Sequence, residues 1–180
     1  MNVIETELPG VLIIEPKSFG DDRGFFLETF QDERYREHAG ISLPFVQDNH
    51  SRSRRGVLRG LHLQREHAQG KLIRVARGQI FDVAADVDPA SPTFGRWVGA
   101  TLSDDKHRQM WVPPGYAHGF VVLSDVADVE YKCTEYYLPQ SEIGVIWNDP
   151  DLAIAWPCEA PILSERDRRL PRLAELKRAP

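Results

Sequence analysis

Two histidines, a tyrosine and a lysine carry the densest chemistry in this chain. The run Arg59-Gly60-Leu61-His62-Leu63-Gln64 is followed closely by Lys71, and Pro113-x-Gly115-x-x-His118 puts a second histidine at a strand start just after a tight turn. Imidazole titrates near neutrality, with an unperturbed pKa of about 6.5, so His62 can serve as a base at working pH. A base needs an acid and an orienting carboxylate. Tyr131, at the head of Tyr131-Lys132-Cys133-Thr134-Glu135-Tyr136-Tyr137, offers a phenol, while Asp82, Asp86 and Asp167 are the carboxylates on offer; spacing does not choose among them. Strand alternation puts Tyr131, Cys133, Glu135 and Tyr137 on one face, and Lys71, Ile73 and Val75 on one face of 71–77. A lysine in that apolar company either snorkels out at the strand end or serves a buried anion. Each of these residues alone reads as ordinary core or rim filling; their combination is what points to proton transfer.

The elements that must position them are short and apolar, with turn residues between them. Val11–Ile14, Lys71–Arg77, Ile80–Val87, Val98–Leu102, Gln109–Val112, Gly119–Leu123 and Val129–Tyr137 read as strands, and Leu58 and Gly60 place Arg59 on another. Their spacing predicts a mainly β fold: an antiparallel sandwich or barrel. Helical signals are sparse. Asp32–His38, ending at Gly40, reads as a short helix, and Ser164-Glu165-Arg166-Asp167 opens a turn of helix. Neither is large enough to cover a sheet, so the sheet must bury its apolar face against itself or against a second subunit. The 180 residues, with no repeat or linker, are expected to form a single domain, 1–180. A net charge of −5 gives no general reason to bind nucleic acid or an anionic membrane. The N-terminus lacks a secretory pattern, no stretch has the ~18 apolar residues of a membrane span, and Cys133 and Cys158 have no CxxC spacing. A cytoplasmic location with reduced thiols is the expectation. His38, His67 and His107 sit in polar, turn-like contexts and read as surface residues.

The Pro-x-Gly-x-x-His string resembles the second motif of cupins, and Gly56–Gly78 lies where the first would be. Metal-binding cupins usually carry HxH followed by Glu; here the pattern is His62-Leu63-Gln64, with Gln69 near the Glu position. Two histidines without a carboxylate make a weak divalent site, so a cupin-type barrel without metal is expected.

The chain then resembles one family along nearly its whole length, the dTDP-4-dehydrorhamnose 3,5-epimerases. The resemblance rests on Asp22-Arg23-Gly24-Phe25-Phe26-x-Glu28, Gln47-Asp48-Asn49-His50-Ser51, Gly56-Val57-Leu58-Arg59-Gly60-Leu61-His62, Gln69-Gly70-Lys71-Leu72, Ser91-Pro92-Thr93-Phe94-Gly95, Ala117-His118-Gly119-Phe120, Tyr131-Lys132-Cys133-Thr134 and Trp147-Asn148-Asp149-Pro150. It implies a jelly-roll barrel with a few short peripheral helices. It also implies epimerisation at C3 and C5 of dTDP-4-dehydro-6-deoxy-D-glucose in dTDP-L-rhamnose biosynthesis, without cofactor, and a homodimer. By resemblance His62 is the general base, Asp167 its orienting carboxylate, Tyr131 the acid and Lys71 the enolate-stabilising cation. Arg23, Glu28, Gln47, Asn49, Arg59, His118 and Glu142 match positions that hold nucleotide or sugar, and Tyr137 matches the aromatic that stacks on thymine. Arg166 stands where relatives often have Lys; its charge carries over, but its geometry at a phosphate differs. A related epimerase acting at C3 or C5 alone would use the same histidine and tyrosine. A metal-dependent oxygenase and a non-catalytic sugar-nucleotide binder are the readings outside this class.

Overall fold

The computed structural model describes residues 1–176. The strands are, in chain order, β1 (Asn2–Glu5), β2 (Leu12–Glu15), β3 (Ser18–Asp21), β4 (Gly24–Leu27), β5 (Gln47–Arg54), β6 (Leu58–Gln64), β7 (Lys71–Arg77), β8 (Gln79–Asp86), β9 (Trp97–Ser103), β10 (Gln109–Val112), β11 (Tyr116–Val122), β12 (Val126–Cys133) and β13 (Glu142–Gly144). Two antiparallel sheets face each other, ordered β1-β2-β10-β7-β12-β5 and β13-β6-β11-β8-β9, and β3–β4 forms a separate hairpin. This is a cupin-type jelly-roll barrel, mainly β.

Alternation explains how the two sheets close. Ile73 and Val75 of β7, Met110 and Val112 of β10 and Val129 of β12 point inward from the larger sheet. They meet Ile80, Ala84, Phe120 and Val122 from the smaller one in one buried cluster. Fully burying side chains of this kind is worth roughly 1.5–3 kcal/mol each, so this shared core is the main source of cohesion. β8 is buried on both faces: Val83 and Ala85 turn outward into a second cluster with Leu152 and Leu173.

The sheet therefore does bury its apolar face against itself. Its outer faces are covered mostly by irregular chain. The segment from Val145 to Leu176 lies over the smaller sheet and includes α2 (Leu173–Leu176). The helix expected at Asp32–His38 is α1 (Asp32–Ala39), which puts Tyr35 against Ile14, Leu72 and Trp111 on the larger sheet. Gln31 accepts a hydrogen bond from the Arg34 N–H at its start, and Gly40 ends it in the left-handed region, at φ 66°.

Three readings need correction. The strand expected over Val129–Tyr137 runs instead from Val126 to Cys133, ending four residues earlier and starting three earlier. β5, β13 and the β3–β4 hairpin were not anticipated. His107 is half-buried, its ring 4.5 Å from that of Phe25, whereas His38 and His67 are exposed as expected. Among the described residues no helix is long and apolar enough to cross a membrane.

Candidate active site

At one end of the barrel the two sheets part around a cavity of about 460 Å³. The larger sheet contributes Gln47, Asn49 and Ser51 from β5, Lys71 from β7 and Tyr131 from β12. The smaller sheet contributes Arg59 and His62 from β6, His118 and Phe120 from β11, and Glu142 from β13. Tyr131 and His62 thus reach the same space from opposing sheets. A ligand lying between the sheets meets the imidazole on one side and the phenol on the other.

His62 is oriented by a carboxylate 105 residues away. Its Nε2 lies 2.6 Å from Asp167 Oδ1, which accepts the ring N–H and leaves Nδ1 as the nitrogen with a free lone pair. Asp167 sits at the start of a 3-10 turn, Asp167–Arg169, where its own N–H donates to Ser164 Oγ at 3.0 Å. Burial alone would raise the Asp167 pKa. Hydrogen bonds from His62, Ser164 and the Gly60 N–H outweigh it and hold the carboxyl below its ordinary value, so it is anionic at neutral pH. Of the three carboxylates on offer to His62, the fold selects Asp167. Asp86 is engaged instead by Thr93 Oγ1 at 2.5 Å.

Asp82 belongs to the other histidine. His118 Nε2 is 2.7 Å from Asp82 Oδ1, and this pair is buried. His118 and His62 are register partners on β11 and β6, so two imidazole–carboxylate pairs lie side by side. Gly60 permits this close approach: a Cβ there would sit 2.6 Å from the His118 carbonyl oxygen. The register shifts between His118 and Phe120, a bulge that re-aims side chains beside the cavity.

Burial pushes the Tyr131 phenol above its ordinary value, so it stays protonated and able to donate. Desolvation pulls the Lys71 ammonium down, opposed by Cys133, Glu142 and Asp82. Glu142 is the hub of the outer rim. It accepts the Tyr137 hydroxyl at 2.8 Å, is ion-paired with Arg166, and lies 3.7 Å from His62 Nδ1. Arg59, which lines the cavity from β6, is held by its Nε donating to Ser53 Oγ of β5 at 3.0 Å.

Tyr137 arrives by a route other than strand alternation. Its N–H donates to Gln47 Oε1 at 2.9 Å, while Gln64 clamps the same loop by donating to the Tyr136 carbonyl and accepting from the Leu138 N–H. Glu135, expected on the same face, lies instead 3.8 Å from His67. The glutamines at the two metal-ligand positions of a cupin are turned to backbone here; Gln69 donates to the Glu135 carbonyl at 2.8 Å. Among the described residues no group of three or more His, Cys, Asp or Glu side chains is arranged to hold a metal ion.

Of the residues singled out from sequence, Gln47, Asn49, Arg59, His62, Lys71, His118, Tyr131, Tyr137, Glu142, Arg166 and Asp167 line this one cavity. One chain does not bring Arg23 and Glu28 to it. Arg23 is on the β3–β4 hairpin, paired with Asp21 at 2.5 Å, and Glu28 is ion-paired with Arg34 of α1. Ser51, Phe120 and Ser164 also line the cavity but were not among the candidates. Ser51 had one legible signal: it continues the i, i+2 series Gln47, Asn49 on a strand.

The barrel and this site define a class, a cupin-type fold that confronts an imidazole–carboxylate pair with a phenol across one polar cavity. A protein-family model described as dTDP-4-dehydrorhamnose 3,5-epimerase matches residues 5–175, and the chain belongs to that family, whose members are isomerase-class sugar-nucleotide epimerases. It is 55% identical over 180 residues to the dTDP-4-dehydrorhamnose 3,5-epimerase of Escherichia coli (strain K12), covering 99% of this chain and 97% of that protein. Among solved structures it is similar to the dTDP-6-deoxy-D-glucose-3,5-epimerase RmlC from Legionella pneumophila, crystallised in complex with dTDP-4-keto-L-rhamnose. That match has a TM-score of 0.93 at 54% identity over 97% of this chain and 96% of that one. ChmJ from Streptomyces bikiniensis, a 3'-monoepimerase, superposes with a TM-score of 0.91 at 35% identity, over 97% of this chain and 89% of that one.

Proposed function

We propose that this chain epimerises dTDP-4-dehydro-6-deoxy-D-glucose at C3 and C5 to dTDP-4-dehydro-L-rhamnose, a step of dTDP-L-rhamnose biosynthesis, by proton transfer through enolate intermediates. The observation that carries the reading is the opposition of His62 and Tyr131 across one cavity with Lys71 between the same sheets. Both C3–H and C5–H are adjacent to the C4 ketone. His62 Nδ1 takes the proton from carbon, and Asp167 stabilises the imidazolium that forms. The electron pair moves onto the C4 oxygen, where the Lys71 ammonium stabilises the enolate in a water-poor cavity. Tyr131 delivers a proton to the opposite face of the carbon, which inverts it. His62 then returns its proton to solvent and Tyr131 recovers one, so each inversion is balanced. The reaction is redox-neutral and needs no nicotinamide. Arg59 and Arg166 suit the diphosphate, because a guanidinium engages phosphate oxygens as a fork. Tyr137, held by Glu142, provides a face for thymine.

The working unit in this reading is a cytoplasmic homodimer of single-domain chains. Support comes from the β3–β4 hairpin, which exposes Phe19, Phe25 and Phe26 at 55%, 62% and 71% and carries Arg23 away from its own chain's cavity. Apolar side chains so exposed on one hairpin mark an interaction surface. The test of the reaction is incubation with dTDP-4-dehydro-6-deoxyglucose in heavy water. Deuterium at both C3 and C5 is the expected result. Deuterium at one carbon alone would make the chain a mono-epimerase, and binding without any exchange would sink the enzymatic reading.

A further inference from the structure

The inner face of β5 carries four polar side chains in a row, Gln47, Asn49, Ser51 and Ser53, and three of them are engaged. Gln47 accepts the Tyr137 N–H and donates to Asn49 Oδ1 at 3.1 Å, and Asn49 Nδ2 in turn donates to Cys133 Sγ. Ser53 Oγ accepts from Arg59 Nε. Ser51 is the exception. Its hydroxyl is buried with no hydrogen-bond partner, a condition that among the described residues only Asp82 Oδ2 shares. Asp82 does not line the cavity, whereas Ser51 does.

The neighbours of Ser51 across the sheet offer it no partner. It stands opposite Val129 of β12, which stands opposite Val75 of β7, and both valines belong to the apolar core. A hydroxyl both donates and accepts, and one left unpaired in a buried place costs free energy that a polar ligand group removes. The position of Ser51 along β5 narrows the choice of that group. Two residues one way, Asn49 is the register partner of Tyr131; two residues the other way, Ser53 holds Arg59. Each step spans about 7 Å of strand. In the epimerase reading the phenol serves the reacting carbons and the guanidinium the diphosphate, so Ser51 faces the part of the hexose between them.

We propose that Ser51 is a specificity-determining residue: its hydroxyl hydrogen-bonds the C2 hydroxyl of the hexose, so that the site takes 2-hydroxylated sugars in preference to 2-deoxy ones. The inference rests on the epimerase reading above, which sets the direction of the substrate in the cavity. From the diphosphate on C1 to the reacting C3, the hydroxyl passed on the way is that of C2. The other way round the ring, to C5, passes the ring oxygen, which accepts but cannot donate. The two hydroxyls complete each other. Removing either leaves its partner buried and unpaired, and removing the second as well costs little more.

The experiment is a two-by-two comparison. The unaltered enzyme and Ser51→Ala are each given dTDP-4-dehydro-6-deoxyglucose and its 2-deoxy analogue in heavy water, and deuterium uptake is followed. Calorimetric binding of dTDP, which carries the diphosphate but no hexose, checks that the site is folded. The unaltered enzyme is expected to favour the 2-hydroxy substrate by about tenfold in kcat/KM. Ser51→Ala should lose about tenfold on that substrate, stay within about twofold of the parent on the 2-deoxy analogue, and bind dTDP as the parent does. Ser51→Cys, close in volume and a weaker hydrogen-bonder, takes its place if the alanine variant does not fold. Equal losses on both substrates, no preference in the unaltered enzyme, or failure of both variants to fold would overturn the inference. Weakened dTDP binding by a folded variant would assign the hydroxyl to phosphate and overturn it too. Absence of exchange with either substrate in the unaltered enzyme would instead overturn the epimerase reading itself.

Discussion

The two histidine–aspartate pairs start from neighbouring positions and diverge in everything around them. His62 and His118 are register partners on adjacent strands, yet the His62 side chain keeps 23% exposure and that of His118 keeps 8%. The carboxylate of the first pair comes from a turn in the C-terminal segment and is satisfied several times over, by His62, Ser164 and the Gly60 N–H. The carboxylate of the second comes from the middle of a sheet strand and is satisfied on one oxygen only. A group that must exchange protons with substrate and solvent needs access and a stable counter-charge, which the first pair has. A group that must hold still needs burial, which the second has. The same side-chain chemistry thus takes its exposure and its hydrogen bonding from the element that supplies the carboxylate.

Substitutions that strip one pair at a time test this division. The largest effect is expected from His62→Ala, which should lower deuterium exchange at both carbons by about 10²–10⁴-fold. Substantial exchange left at neutral pH would remove His62 from the role of base. Asp167→Asn should follow. Losing a charge-assisted hydrogen bond of about 1.5–3 kcal/mol corresponds to roughly a ten- to hundredfold drop in kcat. A loss equal to that of His62→Ala would mean that Asp167 does more than orient and stabilise the ring. His118→Asn should act chiefly on binding, raising KM by about tenfold while kcat falls by a smaller factor; a kcat loss matching His62→Ala would erase the distinction between the pairs. The smallest effect concerns stability. The Asp167 carboxyl is held below its unfolded value, so its contribution is present above about pH 3.9 and is lost as pH falls through the lower folded value. The gap in Tm between the parent and Asp167→Asn should therefore narrow between about pH 6 and about pH 3. A gap that widens on acidification would have the sign of the coupling reversed.

The legible part of the fold is the part that obeys alternation of apolar residues. Lys71–Arg77 and Gln109–Val112 are strands over the residues read from sequence, because their inward positions fill a common core. β5 escaped for the opposite reason. Its sequence, QDNHSRSR, is polar on both faces: Gln47, Asn49 and Ser51 line the cavity, while Asp48 and Arg52 pair with Lys132 and Asp128 on the other side. A strand whose inner face is a binding site carries no hydrophobic signature. Tyr137 was assigned to the site through strand alternation and by resemblance. It reaches the site because Gln47 and Gln64 clamp the loop that follows β12, through hydrogen bonds between residues 74 and 90 positions apart.

From the sequence alone came the class of fold, the family resemblance and nearly all of the side chains that share the cavity, since these depend on residue type, local period and spacing. Spacing did not say which aspartate serves which histidine; the resemblance named Asp167 for His62, and the closed chain brings that pair together and gives Asp82 to His118. Asp82, Asp86 and Asp167 are the same chemical group at different separations from His62, and hydrogen bonding acts over about 3 Å of space regardless of distance along the chain. The crossing of strands and the return of the C-terminal segment set those distances, and with them the split between a more accessible imidazole–carboxylate pair and a buried one.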